Sequence, residues 1–203
     1  MNYFWKIKNK DIVFDGYFQM EKYTFEHELY AGGISGEFTR EIFERGSAAA
    51  VLPYDPITDQ VVLIEQFRAG AIKTMARPWM KEIVAGIIDA DEQPKAVAQR
   101  ESVEEAGCEV KNLELVSRYF VSPGGTTEEC FLYCAEVDAT TVKGIHGLAE
   151  EFEDIKVEVV SAEQAFAWVK DGTINSAAAI MALFWLENNR NRLREHGFTF
   201  SNI

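Results

Sequence analysis

The segment Gly86–Val110, GIIDADEQPKAVAQRESVEEAGCEV, decides how this chain reads. Glu92, Glu101, Glu104 and Glu105 stand in it at fixed intervals, between a glycine start and a glycine stop. Pro94 suits the first helical position behind a Gln93 cap, and Gly107 suits a left-handed stop, so a helix is predicted between them. At about 100° per residue, Ala96, Val103 and Ala106 share one arc and are expected to make the packed face. Arg100, Glu104, Glu101 and Glu105 fall across the opposite arc. Like charges one turn apart cost roughly 0.2–0.5 kcal/mol at a surface, so a solvated charged face is the plain alternative. Carboxylates converging from one helical turn also make a hard-oxygen site for Mg²⁺ or Mn²⁺, with room for water and substrate phosphates.

Working outward, the first forty residues alternate. EKYTFEHEL places Tyr23, Phe25, His27 and Leu29 on one strand face, and the Gly-rich AGGISGE turn follows. This predicts a small antiparallel β unit over 1–46, ahead of a main domain over 47–203. SAAAVLPYD and QVVLIEQFR, around DPITD, read as a buried hairpin. After the glutamate helix come the strands LELVSRYFV and CFLYCAEV, joined through SPGGTTEE, and later the strand IKVEVV. Two helices close the chain: AEQAFAWVKDG, capped by Ser161 and stopped at Gly172, and NSAAAIMALFWLENN. The order indicates an α/β (α+β) sandwich.

The 203 residues carry a formal charge of −13, which disfavours nucleic acid or an anionic membrane as partner. An anionic substrate remains open to an acidic protein if a divalent ion reverses the local field. Cys108, Cys130 and Cys134 lack metal or redox spacing and read as buried reduced thiols. The start MNYFWKIKNK has no apolar signal region and the most apolar run is too short to span a bilayer. A soluble cytoplasmic protein is therefore expected.

Gly86-x5-Glu92-x7-Arg100-Glu101-x-x-Glu104-Glu105-x-Gly107-Cys108 resembles the signature of the Nudix family, G-x5-E-x7-R-E-U-x-E-E-x-G-U with U bulky and apolar. The one departure is Ser102 at a U position, a change to packing rather than chemistry. The resemblance implies a Nudix α/β/α sandwich with the small N-terminal antiparallel β unit beside it. It also implies hydrolysis of a nucleoside diphosphate linked to a further moiety. On it, Glu101 and Glu105 would ligate metal with Glu104 assisting, Arg100 would orient a carboxylate, and the Ala85 carbonyl would be an additional ligand.

Pro123, 15 residues after Cys108, resembles the placement in the ADP-ribose pyrophosphatase branch, as do TREIFERG, LIEQFRAG, KEIVAGII, SPGGTTEE and GIHGLAEEFEDIKVEVV. That branch implies ADP-ribose as substrate. The alternatives are another nucleoside diphosphate sugar (ADP-glucose or GDP-mannose), a dinucleoside polyphosphate, or a non-catalytic ADP-ribose sensor. By the same resemblance Arg68 would meet the phosphates and Ile87 would line the adenosine pocket. Ser122 and Glu128 would contact substrate or the terminal ribose. Tyr17 and Phe18 would stack the adenine with Arg40 and Glu41 nearby, supplied across a homodimer by an exchanged N-terminal unit. The catalytic base would be Glu151 on the acidic loop LAEEFED, with Glu153 a further metal ligand. His27 and His146 are rival candidates for the base.

Overall fold

The computed structural model describes residues 3–198. Within these residues the chain divides into two compact units, one formed by residues up to 47 with 120–129 and the other by 48–119 with the residues from 130 on.

The first unit is a three-stranded antiparallel sheet, β1 (Trp5–Asp15), β2 (Gln19–His27) and β3 (Phe38–Glu44), in the order β1-β2-β3. The unit takes in the 120–129 turn as well. The Phe43 amide donates to the Gly125 carbonyl at 2.8 Å, and Phe43 bridges Thr126 in parallel. Aromatic side chains run along the sheet: Tyr23 stacks on Phe25, which tilts against Phe38.

The second unit is built on an eight-stranded sheet. Its strands are β4 (Ala48–Asp55), β5 (Gln60–Phe67), β6 (Trp79–Glu82), β7 (Val84–Ile87), β8 (Lys111–Phe120), β9 (Glu129–Glu136), β10 (Ile145–His146) and β11 (Ile155–Ser161). The order is β10-β11-β5-β4-β9-β8, with β6 paired to β5 and β7 to β4. β4 runs parallel to β9 and antiparallel to β5 and β7. The expected β4–β5 hairpin is narrower than the sequence suggests. Only Tyr54↔Val61 and Asp55↔Gln60 pair, and Pro53, which has no N–H to donate, stands where the pairing stops. Each strand then takes other partners, β4 joining β7 and β5 joining β11 and β6.

Because both central strands are covered on both faces, they are apolar throughout instead of alternating. Ala49, Val51, Val62 and Ile64 join Val97, Ala98 and Ala106 of α1 (Pro94–Ala106) in one core cluster. Ala50, Leu52, Tyr54, Val61 and Leu63 face the other way. They pack on Phe166 of α2 (Ala162–Lys170) and on Leu183 and Leu186 of α3 (Ala177–His196). Helices on both sides of one sheet make the α/β/α sandwich. The Ser161 hydroxyl caps α2 by accepting from the Gln164 amide, as expected. α3 runs further than the apolar run that marks it, because its last turns are held by charge. Arg190 and Arg194 pair with Asp59 in the β4–β5 turn. The three cysteines are buried reduced thiols, and burial pushes the Cys108 thiol up to about 12. Among the described residues no helix is long and apolar enough to cross a membrane.

Candidate active site

The predicted limits of α1 hold. Gln93 is its N-cap, Pro94 opens it, and Gly107 closes it at φ 60°. The Gly107 and Cys108 amides return to the Val103 and Ser102 carbonyls. The packed face differs from the expectation. Val97, Ala98, Ser102, Glu105 and Ala106 are buried, whereas Val103 is 52 % exposed and Ala96 is exposed. Rotation toward β7 puts a serine and a glutamate inside, and each is tolerated because it is hydrogen-bonded. The Ser102 hydroxyl donates to the Ala98 carbonyl at 2.7 Å. Glu105 accepts from the Ala85 amide at 2.9 Å and lies 3.4 Å from the Gln66 side-chain nitrogen.

These contacts set the electrostatics. Burial pushes the Glu105 carboxyl up to about 8, the Ala85 amide and Arg68 pulling it down while Glu101 and Glu153 repel it upward. Half-buried Glu101 is raised too, by burial first, then by Glu104 and Glu153, with Arg100 opposing. Arg100 gathers three carboxylates, reaching Glu101 at 2.8 Å, Glu104 at 2.9 Å and Glu92 at 3.3 Å. This makes it the counter-charge of the turn, and it gives Glu92, to which the sequence reading assigned no role, a structural one.

Gly86 is required by space. A Cβ there would overlap the Glu101 carboxyl, so the glycine is the floor on which that carboxylate lies. Among the described residues, no three His, Cys, Asp or Glu side chains are gathered closely enough to hold an ion by themselves. Arg100 draws off Glu101 and Glu104, and the Ala85 amide occupies Glu105. The donor set nonetheless fits a hard divalent ion. It offers carboxylate oxygens on one turn beside the Ala85 backbone, their protonation equilibria displaced first by burial and then by a mutual repulsion that a cation would relieve.

The second unit brings further predicted residues to this turn. Arg68 pairs with Glu82 at 2.6 Å and is felt electrostatically at Glu105. Ile87 is part-buried at the end of β7, opposite Ala48. The acidic loop leaves β10 and returns through β11. Within it Leu148 and Glu153 bond twice: the Leu148 amide donates to the Glu153 carboxylate at 3.1 Å and the Glu153 amide to the Leu148 carbonyl at 3.2 Å. Glu151 ends the short 3₁₀ turn Ala149–Glu151 and is exposed. Phe152 beside it adopts φ 58° with 96 % of its surface exposed. His146 is bound to the Lys143 carbonyl at 3.0 Å.

The first unit gathers the others. Tyr17 and Phe18 meet edge to face at 4.7 Å, and Phe18 meets Phe43 at 5.3 Å. Arg45, named in no predicted role, lies over the Phe18 ring at 5.4 Å and pairs with Glu128 at 3.4 Å, tying two predicted residues together. Its position in the quoted TREIFERG segment was the available signal. Gln66, in LIEQFRAG, was missed in the same way. Ser122 receives the Gly125 and Thr126 amides on its carbonyl, both at 3.0 Å. Arg40 lies over Phe38 at 4.8 Å, and Glu41 pairs with Lys22 across β2 and β3. His27 ends β2 with its Nδ1 2.7 Å from the Glu28 carbonyl.

Comparison with known proteins places the chain among relatives. The NUDIX domain family model matches residues 44–183. The ADP-ribose pyrophosphatase of Escherichia coli is 49 % identical over 185 residues, covering 91 % of this chain and 88 % of that protein. The ADP-ribose pyrophosphatase of Haemophilus influenzae is 45 % identical over 193 residues, covering 94 % and 89 %. The GDP-mannose pyrophosphatase of Pectobacterium atrosepticum is 32 % identical over 178 residues, covering 87 % and 91 %. In fold, the crystal structure of an ADP compounds hydrolase superposes with a TM-score of 0.71 at 20 % identity, covering 94 % of this chain and 96 % of that one. With its glutamate turn intact and the family match spanning most of its length, the chain belongs to the Nudix family.

Proposed function

We propose that this protein hydrolyses ADP-ribose to AMP and ribose 5-phosphate with Mg²⁺, Mn²⁺ being the alternative ion. The reaction type rests on the buried glutamate turn. The substrate rests on one observation, the 49 % identity across 91 % of the chain to ADP-ribose pyrophosphatase of Escherichia coli.

The residues that would hold the ion are Glu101, Glu105 and Glu153 with the Ala85 carbonyl, Glu104 assisting. When bound, it would neutralise the diphosphate and lower the pKa of a coordinated water. Arg100 orients the carboxylates of the turn, pairing with Glu101 and Glu104, and Arg68 meets the substrate phosphates. Glu151, exposed and unencumbered by an ion pair with Arg100, takes the proton of the attacking water. Oxygen of that water bonds to one phosphorus, the bridging P–O bond breaks, and the released phosphate carries the electron pair away. Ile87 lines the adenosine pocket. Tyr17 and Phe18 stack the base, with Arg40 and Glu41 beside it, and Ser122, Glu128 and Arg45 hold the sugar side. The N-terminal unit over 1–46 exchanges between two copies of the chain, so Tyr17, Phe18, Arg40 and Glu41 serve the neighbouring copy's domain over 47–203. The enzyme works in the cytoplasm.

A second substrate reading is favoured by the 32 % identity to GDP-mannose pyrophosphatase over 87 % of the chain. The test is a kcat/KM panel of ADP-ribose, ADP-glucose, GDP-mannose and a dinucleoside polyphosphate with Mg²⁺, products resolved by chromatography. ADP-ribose should lead by about tenfold or more. A lead for GDP-mannose overturns the substrate, and binding of ADP-ribose without turnover makes the protein a sensor.

A further inference from the structure

The glutamate helix and the acidic loop meet through two fitted contacts, braced by a bond within the loop. A Cβ on Gly107 would overlap the His146 imidazole, so the ring sits in the space that the helix-stop glycine leaves. The Lys143 carbonyl can only accept, so the His146 tautomer protonated at Nε2 is the one that completes the 3.0 Å bond. The next residue, Gly147, donates its amide to the Glu104 carbonyl at 3.0 Å, joining the loop to the last turn of the helix itself. Gly147 stands at φ 101°, and a Cβ on it would come within 2.6 Å of the Glu153 Cβ. The loop stem is therefore wedged between the end of α1 and Glu153, with no slack for a side chain at either glycine.

We propose that His146 and Gly147 fix the height of the acidic loop over the glutamate helix. They act as positioning residues for Glu151 and Glu153, a role that rests on the hydrolase reading above. Only the loop tip then has to move when substrate arrives, because the stem is referenced to the same helix that carries Glu101 and Glu105. A ring that merely filled space would leave the relation of the two acidic groups unchanged when removed.

The test uses the full chain with H146A, H146Q, G147A and the pair G107A and G107A/H146A. H146A and G147A should lower kcat by about tenfold or more, toward the hundredfold that a 1 Å misplacement costs. The ADP-ribose KM should stay within about twofold, and the Mg²⁺ concentration for half-maximal rate should rise. H146Q, whose amide can still donate to the Lys143 carbonyl, should recover part of the loss. In G107A/H146A the added methyl takes the ring's place, so kcat should fall no lower than in the worse single variant. In metal-free protein the Gly147 amide should exchange with solvent faster in H146A and H146Q than in the wild type. The proposal is overturned if kcat and Mg²⁺ half-saturation of H146A and G147A stay within about twofold of wild type. If those two fail to fold, unchanged Gly147 exchange in H146Q overturns it. If the wild type does not turn over ADP-ribose, the hydrolase reading falls, while the exchange measurement still decides the wedge.

Discussion

Glu105 faces two opposed requirements: it is buried against β7, yet the metal role proposed for it requires an anion. Its carboxyl titrates near 8 in the fold against 4.5 for an ordinary glutamate, so burial favours the protonated form. Stability from that preference is complete below pH 4.5 and is lost as pH rises through about 8. Thermal melts of metal-free protein should accordingly show Tm falling over that window, and E105Q should lack this part of the slope. Adding Mg²⁺ at pH 8 should raise the wild-type Tm more than that of the variant. E105Q should also lose about a hundredfold or more in kcat, since each tenfold is about 1.4 kcal/mol and a charge-neutralising contact supplies several. An E105Q protein with near wild-type turnover would remove Glu105 from the metal site. Ser102 makes the contrasting case. S102A should keep activity and cost no more than about 1 kcal/mol in denaturant melts, because it removes a hydroxyl together with its need for a partner. S102V adds bulk to a position with 0 % exposure and should cost about 1–3 kcal/mol.

At the scale of elements, α1 was legible in its ends and illegible in its rotation. Gln93, Pro94 and Gly107 act through their own backbones, so their meaning is local and survives any tertiary context. Which arc packs depends on what β7 offers: the Ala85 amide is a partner that makes a buried carboxylate acceptable, and no helical periodicity reports it. The glutamate spacing points to a candidate site for the opposite reason, since one turn brings the groups together without help from the rest of the fold. Arg45 and Gln66 depend on distant strands and had no such local mark. α3 shows a further kind of hidden support. Burial works to raise the Asp59 carboxyl, but hydrogen bonds from Arg190 and Tyr54 and the charges of Arg190 and Arg194 outweigh it and hold it below the usual carboxylate range. A depressed folded value contributes stability above the unfolded one, 3.8, and loses it as pH falls through the folded one. D59N should lower stability at pH 7 by about 2 kcal/mol, with the difference from wild type shrinking in acid. Chemical denaturation at both pH values checks this.

For the whole molecule, the alternation of the first forty residues speaks for strands but carries no sign that the 120–129 turn joins them, since that association spans over half of the sequence. β1 is exposed along its full length, with Trp5 69 %, Ile12 53 % and Phe14 63 % exposed. A sheet with so much apolar surface left over is what an exchanged unit would present to a second copy. Sedimentation equilibrium should give a particle of twice 22.9 kDa, and a persistent monomer would rule out the exchanged arrangement. Phe152 has a consequence of its own for the chain as a substrate rather than a catalyst. An aromatic side chain standing clear of the surface, in a backbone state that bulky residues avoid, is a bond that chymotrypsin should cut first. The nicked ends would stay clipped together by the Leu148–Glu153 bonds and by the pairing of β10 with β11. Digestion speed at that single bond thus becomes a gauge of occupancy, expected to slow when nucleotide and a divalent ion are added.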